Sequence, residues 1–345
     1  MVESAIPWLS ALFVIGGLAA LAWSSDLFVA GASSLARAFG ISPLIIGMVI
    51  IGFGTSAPEF CVSVMSGLDG HANISLGNAY GSDAFNIAII LGVSAFIYPL
   101  AVRPAVALLA GGCLVSISLF SMWLLRDGAC SRLEGLILVA AFAIIMPLYC
   151  WYDQRMKNKN ELACGESKDD CGKKSENKES MAISAIKLIV GLSVLIASSH
   201  LLIKGSVNIA KFFGVSDLVV GLTIVAAGTS LPELASAIAS ARRKEHEFVL
   251  GNIIGSNIFN TLTVVGVAVS ISPIVPEDGV SGFSKYIIMR DLPYVTMLSL
   301  SLIIFGLNWR RLREPGRFGR RVACVWIASF LLYTALMFIQ ETGGR

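Results

Sequence analysis

Charge is what this sequence has least of. Only 14% of its 345 residues are Asp, Glu, Lys or Arg, against roughly 25% in a soluble globular domain. With 55% of residues hydrophobic and a mean hydropathy of +0.76, the shortage excludes an ordinary soluble fold and leaves a polytopic membrane protein. The net charge of +3 is too small, and the cations too confined to short loops, for a nucleic-acid-binding face. Histidine is scarce as well. The three present, His71, His200 and His246, are not arranged with a Cys or Ser nucleophile, so an intramembrane enzyme has little support. Seven cysteines stand singly at 61, 113, 130, 150, 164, 171 and 324. Without a CxxC or His-paired spacing they imply neither a zinc site nor a disulfide framework, and no cofactor is expected. The opening "MVESAIPWLSALFVIGG" lacks the basic segment and cleavage site of a secretory signal, so the first helix is expected to stay in the mature protein.

What is abundant is long apolar runs. A helix needs about 20 apolar residues to cross the hydrocarbon core, and such runs fall at 7–36, 43–68, 74–99, 104–125, 132–152, 182–211, 217–241, 247–272, 289–309 and 321–340. The expected fold is therefore all-α, with ten transmembrane helices in two five-helix halves, residues 1–152 and 181–345. Between them, residues 153–180 are polar and mixed in charge. They have too few apolar residues to offset the entropy of ordering, which makes them a flexible linker. With the N-terminus outside, the inward loops and linker hold eighteen cations and the outward side six. Positive charge favours the cytoplasmic side, so both termini are expected outside and the linker inside.

The two halves repeat. Shifted by 174 residues, "GISPLIIGMVIIGFGTSAPEF" (40–60) lies over "GVSDLVVGLTIVAAGTSLPEL" (214–234) with ten identities in 21 positions. At the same offset "LGNAYGSDAFN" (76–86) lies over "LGNIIGSNIFN" (250–260) with seven in 11. Five helices separate each residue from its mate. Five is odd, so the copies are inverted across the membrane, the architecture that places binding sites near the midplane between the halves. Two inverted copies can open one site to each side in turn, which favours transport over a passive pore.

The repeated motif carries groups that a plain span avoids. Thr55 and Ser56 precede Glu59 at the spacing that puts them on its helix face. Pro58 lacks an N–H and crowds the carbonyl of Gly54. A broken helix with free carbonyls, hydroxyls and a carboxylate at one depth is expected there. Its mate brings Thr229, Ser230, Pro232 and Glu233. Helices 3 and 8 add Asn78, Ser82 and Asn86, mated with Asn252, Ser256 and Asn260; helix–helix hydrogen bonding is the alternative use of these side chains. Every shared polar group offers oxygen, as hard cations such as Ca²⁺, Na⁺ and Mg²⁺ require. A glutamate in the membrane costs about 2.5 kcal/mol or more, and two of them would neutralise one divalent ion.

The paired "GTSAPE" and "GTSLPE" blocks, each followed by "GN…GS…FN", resemble the two alpha-repeats of the sodium/calcium exchanger family, within the Ca²⁺/cation antiporter superfamily. The likeness covers residues 24–100 and 198–274. It implies ten helices with helices 2, 3, 7 and 8 around the ions, central acids at Glu59 and Glu233, and hydroxyl ligands at Thr55, Ser56, Thr229, Ser230, Ser82 and Ser256. It also implies backbone carbonyl ligands from Gly52 and Ala226; the amide oxygens of Asn86 and Asn260, read from the residues themselves, can finish the shell without adding charge. K⁺-carrying members have aspartate where this chain has Asn260, as do some K⁺-independent prokaryotic ones; asparagine resembles K⁺-independent exchange. Asp83, mate of Asn257, is a departure. A salt-bridged or water-facing acid is expected there, with a place flanking the site as the alternative.

The resemblance implies a secondary antiporter exchanging Ca²⁺ for Na⁺ by alternating access, with helices 1 and 6 sliding against the core. If three Na⁺ replace one Ca²⁺, each cycle moves one net charge. The alternative is H⁺/Ca²⁺, or other divalent cation, exchange on the same fold, since paired carboxylates can carry protons. The "GTS" before "PE" favours Na⁺, because proton-coupled relatives usually place asparagine near that point. Partners are the ions and membrane lipid. Monomer and homodimer both fit, and the compact chain resembles a prokaryotic plasma-membrane protein.

Overall fold

Helix follows helix through a computed structural model of the chain, which describes residues 7–39, 41–68, 72–163, 180–212, 226–274, 287–309, 311 and 314–342. Helix α1 spans Pro7–Phe39. The second apolar run is α2 (Pro43–Ile46), a π-helical stretch Gly47–Gly52, α3 (Phe53–Thr55) and α4 (Ala57–Leu68). Next come α5 (Ala72–Phe85), a π stretch Asn86–Leu91 and α6 (Gly92–Ile97), then α7 (Pro104–Leu124) and α8 (Arg132–Ala163). The second half has α9 (Met181–Phe212), α10 (Ala226–Thr229), α11 (Leu231–Arg242) and α12 (His246–Phe259). It ends with a π stretch Asn260–Val264, α13 (Val265–Ile271), α14 (Leu292–Gly306) and α15 (Arg320–Thr342).

Eight described helices are long and apolar enough to cross a membrane, and a ninth span is the bent pair Leu44–Thr55 and Ala57–Val64. Of the run expected at 217–241, residues 217–225 lie outside the described residues; 226–241 form α10 and α11. The middle of the linker lies outside them too. Its start does not follow the expectation, because α8 continues through residues 153–163. The apolar run stops at 152, where the hydrocarbon core would end, but Gln, Arg, Met, Lys, Glu and Leu are good helix formers and carry the helix onward.

Burial sorts the helices into core and rim. Most positions in the spans His246–Ile271 and Ser75–Ile97 are buried, whereas in Arg320–Met337 only 11% are. Rim helices turn Trp23, Ile144, Ile189 and Leu331 outward, as lipid-facing surfaces do. The core helices meet backbone to backbone. A Cβ on Gly52 would stand 3.0 Å from the Ser256 nitrogen, and one on Gly47 3.0 Å from the Gly251 Cα, so small residues permit this approach. Helices α1 and α9 pair likewise, with a Cβ on Gly31 or Gly191 falling 2.6 Å from the amide nitrogen of Leu188 or Phe28.

The loops that the topology puts on one face do meet. Strand β1 (Leu100–Val102) pairs antiparallel with β2 (Gly316–Phe318), Ala101 opposite Arg317. On the other face, Cys130 bridges Ile274.

Candidate ion-binding site

The second span bends by 45° between Leu44–Thr55 and Ala57–Val64. Ser56 marks the break, with φ −82° and ψ 9°, and Ser230 repeats it at φ −89° and ψ 9°. Pro58 and Pro232 supply no N–H, so the helical hydrogen bond that each would donate is missing. Opening is only local, however. The Ser56 amide still donates to the Gly52 carbonyl and the Phe60 amide to the Ser56 carbonyl, both at 3.1 Å. The Gly52 carbonyl also accepts from Ser256 Oγ at 3.1 Å. It is not the free carbonyl expected from the sequence.

Glu59 and Glu233 open the helices beyond these breaks, each 1% exposed. Each is held by the opposite half. Ser56 Oγ donates to Glu233 Oε1 at 2.9 Å, and Ser230 Oγ donates to Glu59 Oε1 at 2.9 Å. Thr55 reaches toward Glu233 and Thr229 toward Glu59, while Thr55 Oγ1 also donates to the Ile51 carbonyl at 2.9 Å. Helical spacing puts Ser56 beside Glu59 in sequence, but the bend at Ser56 turns its hydroxyl across the interface.

The two asparagines brace the backbone. Asn78 Nδ2 donates to the Glu59 carbonyl and Asn252 Nδ2 to the Glu233 carbonyl, each at 3.3 Å. This is the helix–helix bonding weighed as an alternative. The 174-residue offset thus relates both the serine–glutamate and the asparagine–carbonyl bonds.

The remaining oxygens define what the site can do. Oε2 of Glu59 and Oε2 of Glu233 are buried without a hydrogen-bond partner among the described residues. A buried carboxylate needs a proton or a cation, and this pair offers two charges surrounded by hydroxyls. Among the described residues no three His, Cys, Asp or Glu gather at one point. The donor set is hard oxygen, suited to Ca²⁺ or Na⁺. Ser82 is also buried, at 6% exposure. Ala226 opens α10 at the edge of the described residues.

Asn86 and Asn260 each begin a π stretch, a distortion frequent at functional sites. They do not bond each other. Asn86 Nδ2 donates to Asn257 Oδ1 at 2.9 Å, and both polar side-chain atoms of Asn260 are buried with no hydrogen bond of normal geometry among the described residues. Asp83 lies among them and corrects the expectation. It is fully buried, not water-facing, and the groups around its carboxylate are Thr261 and Asn260, not a base. Thr261 Oγ1 donates to Asp83 Oδ2 at 2.6 Å, and Asn257 Nδ2 donates to the Asp83 carbonyl at 3.2 Å. Thr261 belongs to none of the repeated motif positions. Its signal was a repeat mismatch, since the mate of Thr261 is Ile87.

Aromatic rings close one side of this region. Phe53, Phe60 and Phe142 place their centroids 5.0, 5.8 and 6.0 Å from that of Phe259, so Asn260 directly follows a dry wall.

The chain is similar to known proteins over nearly its whole length. The chain is 36% identical over 327 residues to a putative antiporter, CaxA, of Alkalimonas amylolytica, covering 95% of this chain and 98% of the relative. It is 32% identical over 339 residues to the inner membrane protein YrbG of Escherichia coli, covering 96% and 97%. Among solved structures it is similar to the sodium-calcium exchanger NCX_Mj, with a TM-score of 0.77 and 28% identity over 96% of this chain and 99% of that one. The family model for sodium/calcium exchanger proteins matches residues 9–151 and 183–339, taking in both halves. The repeated motifs, the buried glutamates and these matches agree: the chain is a multi-pass membrane transporter, not an enzyme, and belongs to the sodium/calcium exchanger protein family.

Proposed function

We propose that the protein exchanges Ca²⁺ for Na⁺ across the membrane by alternating access, without K⁺ and with net movement of charge. The observation that carries this reading is the crossed pair Ser56–Glu233 and Ser230–Glu59, which leaves one unpartnered oxygen on each buried glutamate. The two carboxylates bind either one Ca²⁺ or several Na⁺ between them, so the two loads compete. Thr55, Ser56, Thr229, Ser230, Ser82 and Ser256, with the carbonyls of Gly52 and Ala226, extend the oxygen set to either side. Asn86 and Asn260 add neutral oxygens, and asparagine at 260 fits independence from K⁺. Solved structures of NCX_Mj were obtained with Na⁺, Ca²⁺ and Sr²⁺, which supports the same ions here.

The packed pair α1 and α9 would slide against the core to expose the site to each side. Residues 1–152 and 181–345 act as the inverted halves, joined on the cytoplasmic side. Both termini face outward, and the inner-membrane relative supports a bacterial or archaeal plasma membrane.

The test is ⁴⁵Ca²⁺ uptake into proteoliposomes preloaded with Na⁺ or choline, with a protonophore present. Uptake that requires internal Na⁺ is expected. Uptake indifferent to Na⁺ but driven by a pH gradient once the protonophore is removed would overturn the reading in favour of proton exchange.

A further inference from the structure

Asp83 has no part in the exchange reading, yet its burial is complete. Thr261 occupies Oδ2, the Asn260 side chain lies beside the carboxylate, and Oδ1 has no hydrogen-bond partner among the described residues. Among the described residues, no Lys, Arg or His is among the groups acting on it. Asn86 Oδ1, one helical turn on, and Asn260 Oδ1 are also buried without a hydrogen-bond partner among the described residues. These three free oxygens come from two facing helices tied together by the Asn86–Asn257 and Asn257–Asp83 hydrogen bonds.

The repeat makes the arrangement informative. Asn86 and Asn260 are mates, and so are Asp83 and Asn257, so the cluster sits where the two halves meet as equals. One member alone carries charge. Asn78, which touches the Glu59 carbonyl, precedes Asp83 by five residues, or about 7.5 Å of helix. The carboxylate is therefore displaced from the level at which Asn78 braces Glu59.

A single carboxylate among neutral amide oxygens matches one positive charge. A divalent ion would leave a buried excess charge, whereas the glutamate pair already offers two. Hard oxygen donors select an alkali cation over a soft metal. We infer that Asp83 is the anionic ligand of a monovalent-cation site, for Na⁺ in this protein, with Asn86 and Asn260 supplying neutral oxygens and Thr261 orienting the carboxylate. The choice of Na⁺ rests on the exchange reading.

Two variants test it: Asp83→Asn, and Asp83→Asn combined with Asn257→Asp, which moves the charge to the symmetry-related position. Each is reconstituted and its ⁴⁵Ca²⁺ uptake followed as internal Na⁺ replaces choline. Loss of a charged ligand is expected to raise half-saturating Na⁺ about tenfold or more, to flatten its sigmoidal dependence, and to move half-saturating Ca²⁺ by less. The double variant is expected to recover most of that shift. Na⁺ dependence in Asp83→Asn within about twofold of the parent, or a shift that the double variant leaves unchanged, would overturn the assignment. Thermal unfolding in detergent with NaCl against choline chloride decides the matter even if the parent shows no Na⁺-driven uptake. That result would sink the exchange reading alone. The Asp83 site falls if Na⁺ stabilises Asp83→Asn as much as the parent, and stands if that stabilisation shrinks.

Discussion

Gly255→Ala should damage this protein although it adds one methyl group to a helix. Replacing glycine by alanine inside a helix ordinarily stabilises by about 1 kcal/mol. Here the new Cβ would stand 2.6 Å from the Met48 Cα and 2.8 Å from its carbonyl carbon, both backbone atoms unable to rotate away. Ordinary carbon contacts begin near 3.5 Å, so the Gly47–Gly52 stretch must retreat by about 1 Å. The neighbouring contact between Ser256 Oγ and the Gly52 carbonyl, at 3.1 Å, would then pass the limit of a hydrogen bond. Overpacking costs about 1–3 kcal/mol and the lost bond about 1 kcal/mol. Against the gain in propensity, the net loss is about 1–3 kcal/mol. Because Gly52 leads directly into Thr55 and Ser56, Ca²⁺ exchange should fall as well. Gly112→Ala in α7 is the control, for nothing lies within 4 Å of its added Cβ, and it should unfold at or above the parent temperature. Thermal unfolding in detergent and ⁴⁵Ca²⁺ exchange measure both variants. If Gly255→Ala matches Gly112→Ala in both, the packing argument is wrong.

Glu59→Gln and Glu233→Gln should each abolish Ca²⁺ exchange while eluting as monodisperse proteins; parental rates in either would remove the glutamates from the mechanism. Ser56→Ala and Ser230→Ala remove equivalent bonds of 2.9 Å to a carboxylate, each worth about 1.5–3 kcal/mol. Their losses in thermal stability should agree, and an effect confined to one would contradict the two-fold symmetry of the site. Cys130 lies in the loop between α7 and α8, where burial, with Glu134 and Asp127 adding to it, pushes its thiol up to about 12. It stays a neutral thiol at pH 8, and the thiolate is the nucleophile. Maleimide labelling of a variant retaining only Cys130 should therefore be slow until the protein unfolds; labelling at the rate of a free thiol would refute its burial.

The sequence carried the repeat, and with it the pairing of Glu59 with Glu233, because duplication preserves identity at fixed spacing. It could not carry the direction of Ser56. On a straight helix Ser56 shares a face with Glu59; the bend gives its hydroxyl to Glu233, and bends depend on what packs against them. The surroundings of Asp83 are illegible in the sequence for a related reason. Water or a base normally accompanies an acid, and only the approach of α12 shows that Thr261 and the asparagines replace both. The membrane boundary at 152 was legible as the end of an apolar run, but lipid thickness limits hydrophobicity and not helicity, so α8 runs on.

The crossed serine–glutamate bonds give two equivalent residues unequal histories during synthesis. Glu233 is made after Ser56, its donor, which already stands 177 residues upstream. Glu59 must wait for Ser230, 171 residues downstream, or about 10–30 s of translation. For that interval the first half holds a membrane carboxylate whose proper neighbour does not yet exist. The nascent chain must therefore keep Glu59 protonated, hydrated or sheltered by the insertion machinery, an obligation from which its twin is exempt.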